Sequence, residues 1–260
     1  MFDRTDFDAL VDDAASVPVD GWDFSWLDGR ATEERPPWGY ARSLAPRVAA
    51  ASALLDVQTG GAEVLGEVLD AVPTRPPVIA ATESWPPNLA IARARLAPFG
   101  GAVSEVADDA DLPFGGGAFD LVVSRHPVVT RWDEVARVLA PGGRYFAQHV
   151  GSGSNHELTD FLMGPQPIGT ARRPEVAADA ATAVGLEVVT LEAATMRVEF
   201  FDVGAVVYFL RKVIWTVPDF DVDRYRERLR ALHDRIRADG SFVSTAPRFL
   251  IELARPGEPA

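Results

Sequence analysis

The sequence predicts an α/β fold in which helices cover both faces of a mostly parallel sheet. Three observations point there. Short apolar strands alternate with segments of helical period, the connections between them are short, and glycine or proline marks most boundaries. A chain of 260 residues is long enough for one large domain, and 47% hydrophobic with 24% charged residues excludes wholesale disorder. No apolar run approaches the ~18 residues needed to span a bilayer. The opening Met1-Phe2-Asp3-Arg4 has no secretory pattern, so no membrane partner is expected. The absence of cysteine excludes disulfides, thiol nucleophiles and Cys-ligated zinc, and a cytoplasmic location is expected.

The elements follow in order. Residues 1–35 form an acidic arm with aromatic anchors at Phe7, Trp22, Phe24 and Trp26, or a lid over a binding site. Residues 38–51 suit a helix or two helical turns around Pro46. Ala53 to Val57 reads as a buried strand, and the turn Gln58-Thr59-Gly60-Gly61 leads into a helix from Ala62 to Ala71. A second strand covers Val78 to Thr82, and Pro86-Pro87 suits the first turn of a helix running to Leu96. Ala102 to Val106 and Phe119 to Ser124 are the third and fourth strands. Thr130 with Asp133 predicts a capping box for a helix through Leu139, ended by Pro141-Gly142-Gly143. Arg144 to Val150 is the fifth strand, Pro174 to Val184 a helix closed by Gly185, and Leu186 to Leu191 the sixth strand. His156 opens a helix of its own. Asp202 to Val213 is helical, Asp221 to Ala238 is an amphipathic helix, and Arg248 to Leu253 supplies the last strand.

In an open parallel sheet, ligands bind beyond the carboxyl ends of the strands. The residues there are Asp56 with the Gly60-Gly61 turn, Glu83, Asp108-Asp109, Ser124-Arg125-His126 and Gln148-His149. Glycines let backbone approach a ligand and expose amides at the helix that follows. An acid at the end of the second strand, as Glu83 is, suits both hydroxyls of a ribose. The set of carboxylates favours a cationic ligand. The turn lacks the Gly-x-Gly-x-x-Gly of dinucleotide sites, because Gln58 and Ala62 stand at plausible glycine positions.

Three segments are more specific. Asp108-Asp109-Ala110-Asp111-Leu112-Pro113-Phe114, Phe119-Asp120-Leu121-Val122, and Arg137-Val138-Leu139-Ala140-Pro141-Gly142-Gly143 occur in this order at tight spacing. Together they resemble the class I S-adenosylmethionine-dependent methyltransferases, over about residues 53–150. Residues 26–34 and 56–61 look like an actinobacterial branch of that superfamily. The resemblance implies a Rossmann-like, doubly wound sheet of seven strands with the last antiparallel. It implies one methyltransferase domain over 1–260, with an N-terminal arm and lid (1–50), a cofactor-binding core (51–150) and a substrate-side half (151–260) carrying a helical insertion at 202–238. It also implies that S-adenosylmethionine is held by Tyr40, Asp56, Gln58, Thr59, Gly60, Glu83, Asp108, Asp109 and Ser124. In that assignment Glu83 takes the ribose, Asp108 the adenine amine, and Ser124 lies beside the sulfonium.

Methyl transfer from a sulfonium needs an aligned nucleophile, and a base only where that nucleophile must lose a proton. His126 and His149, at the ends of the fourth and fifth strands, are the candidate catalytic residues, and each also suits a strand-end cap. Arg125 suits a substrate carboxylate or a structural ion pair. His149 and His156 share no ligand spacing with a third group, so no metal site is expected. Residues 1–34 carry a net charge of −8 within a total of −13. Such a field opposes binding to nucleic acid, whose affinity comes from basic side chains neutralising phosphates. A small-molecule substrate is therefore expected. An RNA base (guanine) methyltransferase and a non-catalytic, methyltransferase-like binding protein stay open as alternatives, as does the oligomeric state.

Overall fold

The computed structural model describes residues 6–19 and 24–257. Trp22, one of the four expected aromatic anchors, lies outside them. These residues divide into two compact units, one made of 6–19, 24–35, 152–169 and 195–247, the other of 36–151, 170–194 and 248–257.

The second unit holds most of the sheet. Strands β2 (Ala53–Asp56), β3 (Val78–Glu83), β4 (Ala102–Glu105) and β5 (Phe119–Arg125) run parallel to their neighbours, as does β6 (Leu139–Val150) to β5. Side chains alternate across this sheet, so each strand feeds two cores. Leu54, Ala81, Val123 and Phe146 pack on one face against α2 (Tyr40–Ala50), α3 (Glu63–Ala71) and α4 (Pro86–Leu96). Leu55, Ala80, Val122 and Ala147 pack on the other against α5 (Trp132–Val138) and α7 (Pro174–Ala183). Burial on both faces explains why these strands read as continuous apolar runs.

The first unit is built on α1 (Phe7–Ser16), α6 (His156–Met163), α8 (Val203–Lys212) and α9 (Arg226–Asp239). Helix α8 is buried almost all round, and its Gly204 allows close approach: a Cβ there would lie 2.6 Å from the Leu10 carbonyl of α1 and 2.5 Å from Arg30 Nη2. Strand β1 (Ala31–Glu33) pairs antiparallel with the end of β7 (Glu187–Phe200). Strand β8 (Phe242–Ala254) enters the second unit at Arg248 and pairs antiparallel with β6.

The sheet therefore has eight strands, in the order β1-β7-β8-β6-β5-β2-β3-β4, rather than the seven expected. The added strand is β1, three residues with no apolar alternation to announce it. The capping box before α5 does not form. Arg131 stands at the N-cap and takes both oxygens of Asp133, at 3.0 and 2.8 Å. Pro141-Gly142-Gly143 does not end a helix either. Helix α5 stops at Val138, and these residues form an irregular excursion inside β6, where the register shifts between Phe119 and Leu121. The last long helix begins at Arg226 rather than Asp221, because residues 222–225 are turns.

One buried ion pair organises the first unit. Arg30 Nε and Nη2 donate to the two oxygens of Asp202 at 2.9 Å each, and Nη1 donates to Asp13 at 2.9 Å. The Asp202 carboxylate also accepts from the Ala205 amide at 2.8 Å, capping α8. Removing one partner of such a pair leaves a buried charge under-compensated. Asp202→Ala should therefore lose roughly 3–5 kcal/mol in denaturant unfolding. Asp202→Asn, which keeps the cap acceptor, should lose less, and equal losses would assign the whole effect to the ion pair.

Candidate functional site

The site is assembled at the carboxyl edge of β2, β3 and β5. Asp56 is in register with Ala81 of β3 and Val123 of β5, and Glu83 lies two residues beyond Ala81, so both acids project from the same face. Between β2 and α3 the chain turns through Gln58, Gly60 and Ala62, with φ of +57°, +65° and +57°. Glycine enters this left-handed region freely, while other residues resist it. Gln58 and Ala62 thus occupy glycine-like conformations, as their places in the turn imply. Thr82 pins the turn: its Oγ1 accepts from the Gln58 amide at 3.1 Å and its carbonyl from the Thr59 amide at 2.9 Å.

The carboxylates are held in poor solvent. Asp56 is buried, and its pKa is pushed up to about 7, first by desolvation and then by the charge of Glu83. The Thr59 hydroxyl, donating to Asp56 Oδ2 at 2.6 Å, works against that rise. Glu83 is raised in the same direction, again chiefly by burial, with a smaller contribution from the charge of Asp108. Three amides restrain it. Gly60 donates to Oε2 at 2.7 Å, and Trp85 and Ser84 donate to Oε1 at 2.9 and 3.1 Å. Such bonds favour the charged form and hold the turn against the end of β3.

The β5 side is built differently. Ser124 is buried, and its hydroxyl donates to the Val57 carbonyl at 2.7 Å. Tyr40 is also buried. It stacks on Phe146 and donates to the Ser124 carbonyl at 3.1 Å, so it reaches the site through β5. His126 follows β5 with φ of +61°, its amide bonded to the Gln148 carbonyl at 2.7 Å. The Trp38 indole N–H donates to Gln148 Oε1 at 2.7 Å, which fixes the amide so that Nε2 donates to His126 Nε2, also at 2.7 Å. An indole only donates, so the chain of bonds leaves the His126 proton on Nδ1. Burial, and then the charges of Arg125, Arg248 and Arg172, lower the His126 pKa well below its usual value. The ring is neutral at physiological pH.

His149 makes different contacts from His126. It stacks between Phe249 and Trp132, at centroid distances of 4.7 and 6.0 Å, and burial pulls its pKa down to about 3. Its Nε2 lies 3.3 Å from the Tyr145 hydroxyl.

A small pocket opens beside the turn, lined by Gln58, Thr82, Asp108, Ser124, Thr130 and Tyr145 among others. It brings together three of the sequence-predicted residues, Gln58, Asp108 and Ser124. Thr59, Gly60, Asp56 and Glu83 join them through the turn rather than through its wall. Asp109 is exposed, and its carbonyl accepts from Arg131 Nη1 at 2.6 Å. Arg131 also bridges Asp111 at 3.1 Å, tying the loop after β4 to the start of α5. Thr82, Arg131, Tyr145 and the bridging role of Gln148 escaped the sequence reading. Only Thr82 carried a signal there, as the neighbour of Glu83 at the strand end.

Gln58 spans this region. Its side-chain amide pairs with the loop after β5, Nε2 donating to the Val129 carbonyl and Oε1 accepting from the Val128 amide, both at 2.6 Å.

Residues 55–147 match the family model described as a methyltransferase domain. No curated protein matches the chain. Among solved structures, a Bacillus halodurans C-125 protein provisionally described as a methyltransferase superposes with a TM-score of 0.55 at 14% identity, over 83% of this chain and 98% of that one. A Galdieria sulphuraria protein, provisionally a sarcosine dimethylglycine methyltransferase, superposes with a TM-score of 0.52 at 15% identity over 84% of each chain. The [4+2]-cyclase SpnF superposes with a TM-score of 0.50 at 18% identity, over 84% of this chain and 80% of that one. Likeness at these identities establishes the fold.

The buried Asp56 has a pH signature. Its native pKa of about 7 exceeds the unfolded value of 3.8, so between those limits the native state binds more protons and stability falls as pH rises. Asp56→Asn imitates the protonated form. It should leave stability unchanged near pH 4 and raise it by roughly 2–4 kcal/mol at pH 8. Denaturant titrations at the two pH values read the difference, and an equal change at both would refute the burial cost.

Proposed function

With residues 55–147 matching a methyltransferase domain on a class I S-adenosylmethionine-dependent fold, we propose that this protein methylates a small molecule at the expense of S-adenosylmethionine. The grouping of Asp56, Glu83 and Asp108 at one end of β2, β3 and β4 carries this reading. Carboxylates crowded in poor solvent favour a cation. S-adenosylmethionine is cationic at its sulfonium and at its ammonium, so the donor set fits it. When bound, it supplies a methyl group already activated for displacement.

The chain's own residues then divide the work. Glu83 holds the ribose hydroxyls, and Asp108 holds the adenine amine with the Asp109 backbone beside it. Asp56, Gln58, Thr59 and Gly60 take the methionine portion. Ser124 stands at the sulfonium, supported from behind by Tyr40. His126 is the candidate catalytic residue. As a neutral ring with its Nδ1–H uncommitted, it donates to an acceptor group and orients it, and it serves as a base only where the Gln148 bond gives way. His149 positions Tyr145 in the cavity wall.

A small-molecule acceptor rather than RNA is supported by charge. The net charge is −13, and three of the five arginines of α9 are engaged: Arg226 and Arg230 with Asp8, and Arg235 with Asp239. Action in the cytoplasm accords with the cysteine-free composition. No helix among the described residues is long and apolar enough to cross a membrane.

Calorimetry with S-adenosylhomocysteine tests the assignment. Glu83→Ala and Asp108→Asn should each weaken binding by about tenfold to a hundredfold, the worth of a charged hydrogen bond. Asp108 makes fewer internal bonds than Glu83, so its variant separates ligand contact from disturbance of the turn. Unchanged affinity in both folded variants would remove the cofactor assignment.

A further inference from the structure

Resting on the reading above, we propose that the methyl acceptor carries an oxyanion, a carboxylate or a phosphate ester, bound by Arg125 beside the buried Arg248.

The register of the sheet supplies the geometry. Asp56 is paired with Val123, two residues before Arg125, and Arg125 is paired with Gln148. Gln148 is paired with Leu250, and Arg248 with Val150, two residues beyond Gln148. Paired residues share a face, and so do residues two apart. Glu83, Asp56, Arg125, Gln148 and Arg248 therefore form one row on one face, across β3, β2, β5, β6 and β8. The charges along that row run acid, acid, base, neutral, base. Neighbouring strands lie about 4.8 Å apart, which sets the acidic and basic halves roughly 12 Å from each other. The acidic half suits the cationic cofactor, and the basic half lies on the side of the candidate catalytic His126.

Arg125 is available for such a ligand. It is exposed at the end of β5, and among the described residues no hydrogen-bond or ion-pair partner holds its guanidinium. Four other arginines of the same unit are committed to carboxylates: Arg47 holds Glu252, Arg95 holds Glu63, Arg131 holds Asp111 and Asp133, and Arg137 holds Glu134. Arg248 is 9% exposed, so the second cation sits in poor solvent, where charge attraction is stronger. The charges of Arg125, Arg248 and Arg172 all lower the pKa of His126. A planar guanidinium matches the two oxygens of a carboxylate or phosphate bidentately.

The test uses the full chain saturated with S-adenosylhomocysteine. A panel of small carboxylic acids, each matched with its primary amide, and a set of phosphate monoesters are titrated by calorimetry. Acids or phosphates should bind at least about tenfold more tightly than their neutral counterparts, and the two arms identify which oxyanion is favoured. Arg125→Ala should abolish that preference while leaving S-adenosylhomocysteine affinity unchanged. Arg144→Ala, which removes the same charge from the amino-terminal half of β6, should preserve it. Amides binding as well as acids, no oxyanion binding at all, or an undiminished preference in Arg125→Ala would each overturn the proposal. Failure of the parent protein to bind S-adenosylhomocysteine would instead overturn the methyltransferase reading, so the two failures are distinguishable.

Discussion

Carboxylates at the end of β2 and β3 are held close together away from water, and the surrounding chain is arranged to withstand the repulsion. Glu83 collects amides from Gly60, Ser84 and Trp85, and Asp56 collects the Thr59 hydroxyl. Those same bonds define the turn that opens α3 and fix where its backbone lies against β3. The turn is thus shaped by the charge it encloses. A backbone amide is a weak counter-charge, so the burial cost is only partly offset and both acids keep a raised pKa.

The β5 side meets the opposite problem. A neutral histidine is kept near three arginines, and its proton is assigned by a chain of bonds that begins at an indole. Nothing in that chain titrates near neutrality, so its polarity survives changes of pH that alter Asp56. One half of the edge responds to proton concentration and the other does not.

Much of this was legible in the sequence because burial on both faces writes itself as apolar runs. Leu54, Ile79 and Leu121 announce their strands, and the punctuation at Pro86 and Gly185 marks helix boundaries correctly. Strand β1 was not legible, because Ala31-Thr32-Glu33 earns its place only through the ladder to β7. The capping box failed because Arg131 outcompetes the backbone for Asp133, a choice between side chains that local spacing does not encode. The acids of the site were readable from strand ends. The partners that orient the site, Trp38 with Gln148 and Arg131 with the 109–111 loop, were not, since each joins residues far apart in sequence.

Gln58 is the residue that most alters how such a site behaves. Its amide side chain imitates a peptide group and pairs with the 128–129 backbone as a neighbouring strand would. The gap between the turn and the loop after β5 is consequently stitched shut by the protein's own atoms. A ligand that lies across that gap must first displace the stitch, and its measured affinity is its intrinsic affinity multiplied by the fraction of molecules already unstitched. Glycine at this position would carry no such toll. The side chain therefore scales down the apparent affinity of any ligand that lies across the gap, at every concentration alike.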